Sequence, residues 1–254
     1  MLSPRERREA ILHLLEQDGR VAITDLSQRF DVSAVTIRKD LAQLEAEGLL
    51  IRIHGGAIPT NRHPAEMAFE VRERLQRNEK LRIAQAAANL VQDGDSIALD
   101  ASTTAMYVAR ALRDRRELTV VTNGMRVAQE FAGCPGITVL MPGGIVRWEA
   151  FSLVGSHGES VLKQVHIQRA FVGAKGLTLA EGLTDVNSDE VQLKRAMVAA
   201  AKEVIAVVDH TKWDRVAFAT FCPLEQLKLV ITDTKAPPHL VEAVRQRGIE
   251  VWVV

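Results

Sequence analysis

Apolar and polar positions follow two different patterns along the 254-residue chain. In residues 1–58, apolar side chains recur at steps of three and four, as in Ile37, Leu41 and Leu44, which is typical of short amphipathic helices. Residues 96–254 instead alternate continuous apolar runs with helical stretches. Apolar runs of this kind predict strands buried on both faces, and repeated strand–helix units predict a parallel α/β sheet.

A polar segment with two prolines separates these regions. Residues 59–64, with the sequence PTNRHP, interrupt both patterns and are typical of a break between folded elements. The charged stretch that follows is expected to become helical towards its end. We therefore predict a first domain over residues 3–58, a linker over residues 59–76 and a second domain over residues 77–254.

Three short helices are predicted in the first domain. Ser3 and Glu6 have the spacing of a capping box at the start of the first helix. Thr24 and Ser33 are expected to cap the second and third helices, and Gly48 is expected to end the third. The predicted helices are Pro4–Asp18, Asp25–Phe30 and Ala34–Glu47.

The outer face of the third helix has the surface that a DNA recognition helix needs. Val35 and Lys39 point away from the predicted core, and Thr36 and Arg38 flank them. Short, hydroxyl-bearing and cationic side chains suit the major groove, where an arginine can reach a guanine edge. Ser33 leaves free backbone N–H groups at the start of the helix, where a phosphate binds well.

A predicted β-hairpin follows this helix. Arg52 and His54 alternate with isoleucines, as in a strand with one solvent-facing side, and Gly55-Gly56 can form a two-residue turn. The hairpin would be the wing of a winged helix-turn-helix, with Arg52 and His54 placed for DNA phosphates. A three-helix bundle with a solvated cationic face is the alternative, because residues 1–58 carry eight basic and nine acidic side chains.

The second domain is predicted to contain seven strands and six helices. The strands are Ser96–Leu99, Leu118–Thr122, Ile137–Met141, Ala170–Val172, Val204–Val208, Leu229–Thr232 and Glu250–Val253. The helices are Glu79–Val91, Thr104–Arg113, Met125–Phe131, His157–Gln164, Asp189–Glu203 and Pro238–Arg247. Ligands of parallel sheets bind beyond the carboxyl ends of the strands, so the loops there form the candidate site.

Polar and glycine-rich loops follow several of these strands. Residues 100–104 (DASTT) place three hydroxyls at the start of a helix, which suits a phosphate, although helix capping alone needs only one. Glu190 and Lys194 could equally form a surface ion pair, and Asp209 and Lys212 could satisfy each other. The candidate ligand-binding residues are Asp100, Ser102, Thr103, Thr104, Thr122, Asn123, Gly143, Gly144, Arg147, Lys175, Gly176, Glu190, Lys194, Asp209 and Lys212.

Composition excludes several classes of protein. Equal numbers of basic and acidic residues, 32 each, with 47% hydrophobic residues, exclude a disordered chain and a polybasic nucleic-acid coat protein. Cys134 and Cys222 lie far apart and form neither a metal-ligand pattern nor a disulfide framework, so we expect reduced thiols in a cytoplasmic protein without metal or cofactor. The longest uncharged run, residues 131–146, is too short and too broken to span a bilayer, so no membrane partner is expected.

Three motifs in the first domain resemble the signature of the DeoR family of bacterial transcriptional regulators. They are Val32-Ser33-x-x-Thr36-Ile37-Arg38-Lys39-Asp40-Leu41, Leu44-Glu45-x-x-Gly48 and Arg52-x-His54-Gly55-Gly56-Ala57. The family usually has arginine where this chain has Lys39. Stretches over roughly residues 77–233 also resemble the family's effector domain, except for Ser102 where the family commonly has glycine.

The resemblance implies an α/β protein with an N-terminal winged helix-turn-helix, from about Arg20 to Lys39 for the helix-turn-helix itself, and a C-terminal parallel-sheet domain. The second domain would have the ribose-5-phosphate isomerase and CoA-transferase-like fold. The implied function is a sequence-specific regulator whose affinity for double-stranded operator DNA changes when a phosphorylated sugar binds. The signal would pass through Glu66–Arg82.

We expect a repressor of carbohydrate catabolism genes that acts as a homo-oligomer, a dimer or tetramer, because an operator with two half-sites binds two DNA-binding domains. One alternative is a sugar-phosphate isomerase-like enzyme with an accessory DNA-binding domain, using Asp209 or Glu190 as acid or base. Another is an interaction module whose pocket has lost its ligand.

Overall fold

The computed structural model describes residues 2–47, 49–59 and 69–254. The chain divides into two compact units, residues 1–75 and residues 76–254. The predicted linker of residues 59–76 spans this division. Its last part is a helix, and Val71 and Leu75 pack in the apolar core of the first unit.

The first unit is a winged helix-turn-helix, which confirms the predicted architecture. Its three short strands form one antiparallel sheet in the order β1-β3-β2. The elements are α1 Pro4–Asp18, β1 Val21–Ala22, α2 Ile23–Phe30, α3 Ala34–Ala46, β2 Ile51–Ile53, β3 Gly56–Ile58 and α4 Phe69–Arg74.

The predicted helix starts are confirmed for α1 and α3 but not for α2. The Glu6 backbone N–H donates to Ser3 Oγ, and the Ser3 backbone N–H donates to Glu6 Oε2 at 2.8 Å, which completes the capping box. Helix α2 begins two residues early, directly after β1, so Thr24 lies inside it and caps nothing. The Ile23 N–H donates to the carbonyl of Gly55 instead of to a capping side chain.

Helix α3 ends at Ala46, one residue before the predicted end. Gly48, the predicted terminator, lies outside the described residues. A buried ion pair joins the helix to α1, with 2.6 Å between Arg7 Nε and Asp40 Oδ2. The sequence pattern did not indicate this pair, because its members are 33 residues apart.

The second unit is built on a seven-stranded parallel sheet, which confirms all seven predicted strands. The strand order is β15-β14-β12-β9-β4-β5-β6. Their bounds are β4 Ser96–Leu99, β5 Leu118–Thr122, β6 Ile137–Leu140, β9 Ile167–Val172, β12 Ala201–Val207, β14 Leu227–Thr232 and β15 Glu250–Val253.

All six predicted helices are present, with ends that differ by three residues or fewer. They are α5 Arg77–Ala88, α6 Thr103–Ala111, α7 Met125–Glu130, α8 Ser156–Leu162, α9 Ser188–Ala200 and α10 Pro238–Gln246. The largest corrections, three residues each, are the ends of α5, predicted at Val91, and of α9, predicted at Glu203. Residues 201–203 belong to β12 instead, because Ala201 and Glu203 pair with β9.

Five short strands in this unit were not predicted. The hairpin of β7 (Ile145–Arg147) and β8 (Ser152–Val154) lies against the carboxyl end of β5, where Leu153 N–H donates to the Asn123 carbonyl at 2.8 Å. The other three form a small antiparallel sheet: β10 Gly176–Thr178, β11 Gly182–Asp185 and β13 Ala219–Cys222. Within the described residues, no helix is long and apolar enough to cross a membrane.

Candidate DNA-reading surface and effector pocket

The start of α3 exposes the residues predicted to read DNA. The Thr36 N–H donates to Ser33 Oγ at 3.2 Å, so the serine caps the helix. Val35, Arg38 and Lys39 are exposed. Within residues 2–47, 49–59 and 69–254, no ion pair involves either cation, and both charges are therefore available to an anionic partner.

The predicted wing residue Arg52 is bound to α3. Its Nε lies 2.6 Å from Glu45 Oε2, and its backbone N–H donates to Glu45 Oε1 at 3.0 Å. The backbone hydrogen bond, followed by the side-chain one, lowers the pKa of Glu45. This pair fixes the wing strand to the helix that presents Arg38, while both side chains remain partly exposed.

Two details of the wing differ from the prediction. Ile51 and Ile53 are 44% and 37% exposed, so β2 has no buried side. The turn is His54-Gly55, because Ile53 pairs with Gly56. A Cβ on Gly56 would lie 2.0 Å from a carbonyl oxygen of β1, so this glycine is needed inside the sheet, and His54 lies at the exposed tip.

A buried charge cluster lies at the carboxyl ends of β4 and β9. The Lys194 ammonium is 2.9 Å from Asp100 Oδ2, 2.7 Å from Asp185 Oδ2 and 2.9 Å from the Gly173 carbonyl. Burial alone would lower the pKa of Lys194, but Asp100 and Asp185 outweigh it and raise that pKa. The alternative prediction, a surface ion pair between Glu190 and Lys194, is therefore wrong. Both residues are buried, and Lys194 pairs with the two aspartates.

Asp100 also joins two loops. Its Oδ1 accepts the Ser102 N–H at 3.1 Å, and its Oδ2 accepts the Gly173 N–H at 3.0 Å. Ser102 caps α6, and Thr103 and Thr104 form the buried first turn of that helix. A Cβ on Gly173 would lie 2.5 Å from Ser102 Cβ and Oγ, so the serine fits in this loop because residue 173 is glycine.

A second cluster surrounds Glu190 at the start of α9. Its Oε1 accepts hydrogen bonds from the Ser152 hydroxyl and from Arg147 at 3.0 Å, and its Oε2 accepts one from Asn123 Nδ2 at 3.3 Å. Burial is the largest influence and raises the pKa of Glu190. Ser152 was missed by the sequence analysis, because it belongs to the unpredicted hairpin that also presents Arg147.

Backbone geometry explains the shape of two turns near this cluster. The Gly124 N–H donates to Thr122 Oγ1 at 3.1 Å, which closes the turn after β5. Gly143 and Gly144 have φ values of 80° and 129°, in the region that favours glycine. A Cβ on Gly144 would also lie 2.3 Å from the Val154 carbonyl oxygen, so the hairpin can pair there only with glycine.

The remaining predicted residues lie after β9 and after β12. Burial would raise the pKa of Asp185, but Lys194 and then Lys175 lower it. At the end of β12, burial would raise the pKa of Asp209, but Lys212 and then Lys80 lower it. Gly176 has no room for a side chain, since a Cβ would lie 2.2 Å from the Arg215 carbonyl oxygen.

Comparison with known proteins identifies both units. A model of the DeoR-like helix-turn-helix domain matches residues 7–62, and a model of the DeoR C terminal sensor domain matches residues 75–234. The chain belongs to the DeoR family of transcriptional regulators. The HTH-type transcriptional regulator GolR from Listeria innocua serovar 6a is 38% identical to it, over 98% of both chains.

Two further comparisons place this DeoR-family regulator among known proteins. The transcriptional repressor GlcR from Bacillus subtilis is 33% identical, over 98% of this chain and 95% of GlcR. Ribose 5-phosphate isomerase A from Methanocaldococcus jannaschii aligns with 54% of each chain, with 19% identity and a TM-score of 0.40. Within the described residues, the predicted DNA-reading residues lie at α3 and on the wing. The predicted effector residues lie at or after the ends of β4, β5, β6, β9 and β12, on β7 and on α9.

Proposed function

We propose that this DeoR-family regulator is a repressor of carbohydrate catabolism genes whose affinity for operator DNA changes when a phosphorylated sugar binds the second unit. The observation that carries this proposal is the collection of polar loops and buried charges at the carboxyl ends of β4, β5, β6, β9 and β12. Relatives named as repressors support the first half of the proposal.

The DNA-reading residues are Ser33, Val35, Thr36, Arg38, Lys39, Arg52 and His54. The α3 side chains read base edges and the cap binds phosphate, while Arg52 and His54 contact the backbone from the wing. Binding weakens steeply with salt, because phosphate contacts release counterions.

The effector pocket has two kinds of residue. Lys194 has three acceptor oxygens around its three N–H donors, so it and Asp100 position the loops at residues 100–104 and 173–176. The phosphate binds at the start of α6 with Lys175 and the Gly143-Gly144 backbone, and sugar hydroxyls bind towards Asn123, Glu190 and Asp209.

The test is a titration of fluorescent operator DNA with the full chain, with and without a panel of pentose and hexose monophosphates. We expect one sugar phosphate to change DNA affinity about 5- to 150-fold. Light scattering of the same complexes should give the mass of a dimer or tetramer. An operator complex that responds to no sugar phosphate refutes the sensing half of the proposal.

The isomerase alternative has less support, because both family models and the named relatives are those of transcriptional regulators. Turnover of ribose 5-phosphate by the purified protein would reverse this ranking.

A further inference from the structure

One buried side chain in the second unit has an unsatisfied hydrogen-bonding atom whose orientation is fixed. Asn123 is fully buried directly after β5. Its Nδ2 donates to the Leu153 carbonyl at 3.2 Å and to Glu190 Oε2 at 3.3 Å. Both partners are acceptors, so a rotated amide would place its oxygen against two other oxygens. Asn123 Oδ1 must therefore point away from them.

This Oδ1 has no hydrogen-bond partner among the residues that the structure describes. A buried acceptor without a donor is unfavourable, and native proteins rarely retain one without a reason. The neighbouring donors are directed elsewhere: the Ser152 hydroxyl and an Arg147 N–H both donate to Glu190.

We propose that a hydroxyl group of the effector donates a hydrogen bond to Asn123 Oδ1, so that Asn123 reads the presence of one particular sugar hydroxyl. This inference rests on the proposed sugar-phosphate site. A ketone oxygen or an ionised phosphate has no proton to donate, and the adjacent Glu190 carboxylate disfavours an anion. The sugar end of the ligand therefore faces Asn123, and its phosphate faces the start of α6 and Lys175.

The experiment is isothermal titration of the full chain with pentose and hexose monophosphates. The sugar that binds is then compared with its deoxy and deoxyfluoro analogues at each hydroxyl. At one position, both analogues should bind about tenfold more weakly. The deoxyfluoro analogue is decisive, because fluorine keeps an acceptor of similar size but donates no hydrogen bond.

Asn123→Ala should bind the parent sugar and those two analogues within about twofold of each other, because the acceptor is gone. Asn89→Ala is the matched control, since Asn89 is exposed at the end of α5, and it should keep the tenfold discrimination. Should Asn123→Ala fail to fold, Asn123→Ser, which also lacks the amide oxygen, takes its place and should lose the discrimination in the same way.

Three results would overturn the inference. If the deoxyfluoro analogue binds as tightly as the parent sugar at every position, the protein accepts no hydrogen bond from a sugar hydroxyl. Discrimination that persists in Asn123→Ala means that another residue reads the hydroxyl, and in both cases the proposed function stands. Binding of no sugar phosphate at all refutes the inference together with the proposed function.

Discussion

Two arginines of the proposed DNA-reading surface differ in their ion pairing. Arg38 is exposed and in no ion pair within the described ranges, whereas Arg52 is held by Glu45. Arg38→Ala should weaken operator binding by about 1–3 kcal/mol and relax preference at one base pair. Fluorescence anisotropy with the operator and single-base variants measures both effects.

Arg52→Ala is the control for this prediction. It should weaken binding to operator and to unrelated DNA about equally. The slope of log affinity against log salt concentration should become shallower by about one, as expected for the loss of one phosphate contact. An equal loss on unrelated DNA in Arg38→Ala would show that Arg38 contacts phosphate and not bases.

Acid should destabilise the second unit through Asp185. The pKa of Asp185 is lowered from its usual value of 3.8 because Lys194 and Lys175 outweigh the effect of burial. A carboxyl group with a lowered pKa in the folded state contributes stability above pH 3.8, and that contribution is lost as the pH falls towards the lowered value.

Asp185→Asn should therefore be less stable than the natural chain at pH 7, with a difference that narrows as the pH falls below 3.8. Urea unfolding followed by tryptophan fluorescence measures this, because Trp148, Trp213 and Trp252 all lie in the second unit. A constant difference between pH 7 and pH 3 would contradict the assigned pairing.

At the scale of elements, one buried ion pair adds to the apolar packing between α1 and α3. Asp40→Asn leaves the Arg7 guanidinium buried without its counter-charge, which should destabilise the first unit by about 3–5 kcal/mol. Circular dichroism should show this unit melting before the tryptophan signal of the second unit changes. Glu9→Gln, which removes only the exposed pair with Arg5, should melt like the natural chain.

The contact between the loops after β4 and β9 can be tested by rescue. Gly173→Ala places a Cβ 2.5 Å from the Ser102 side chain and should weaken sugar-phosphate binding by displacing the start of α6. Ser102→Gly in the same chain removes the opposing atoms and should restore binding. Calorimetry of the single and double variants decides, and a double variant as weak as Gly173→Ala would exclude the steric explanation.

The sequence predicted the elements that bury continuous apolar runs and missed those that do not. The seven strands of the large sheet were found, but three-residue strands such as β7 and β8 give too short a pattern. Ser152 was missed for this reason. Arg7, Asp40 and Lys80 were missed because their burial depends on residues distant in sequence, which periodicity does not report.

At the scale of the whole molecule, the boundary between the two units falls directly before α5. Leu75 packs in the first core, and α5 begins at Arg77, so the chain passes from one unit to the other with almost no spacer. The first turn of α5 is held by charge: Glu79 Oε1 lies 2.7 Å from Lys235 Nζ, and buried Lys80 lies near Asp209.

We expect this charged first turn to transmit effector binding to the DNA-reading unit. Glu79→Gln should bind operator DNA and sugar phosphate separately within about twofold of the natural chain. The factor by which each ligand changes the affinity of the other should fall towards one, and by linkage it should fall equally in both directions. Glu242→Gln, an exposed change on α10, is the matched control. A coupling factor that Glu79→Gln leaves unchanged would show that the signal does not pass through this ion pair.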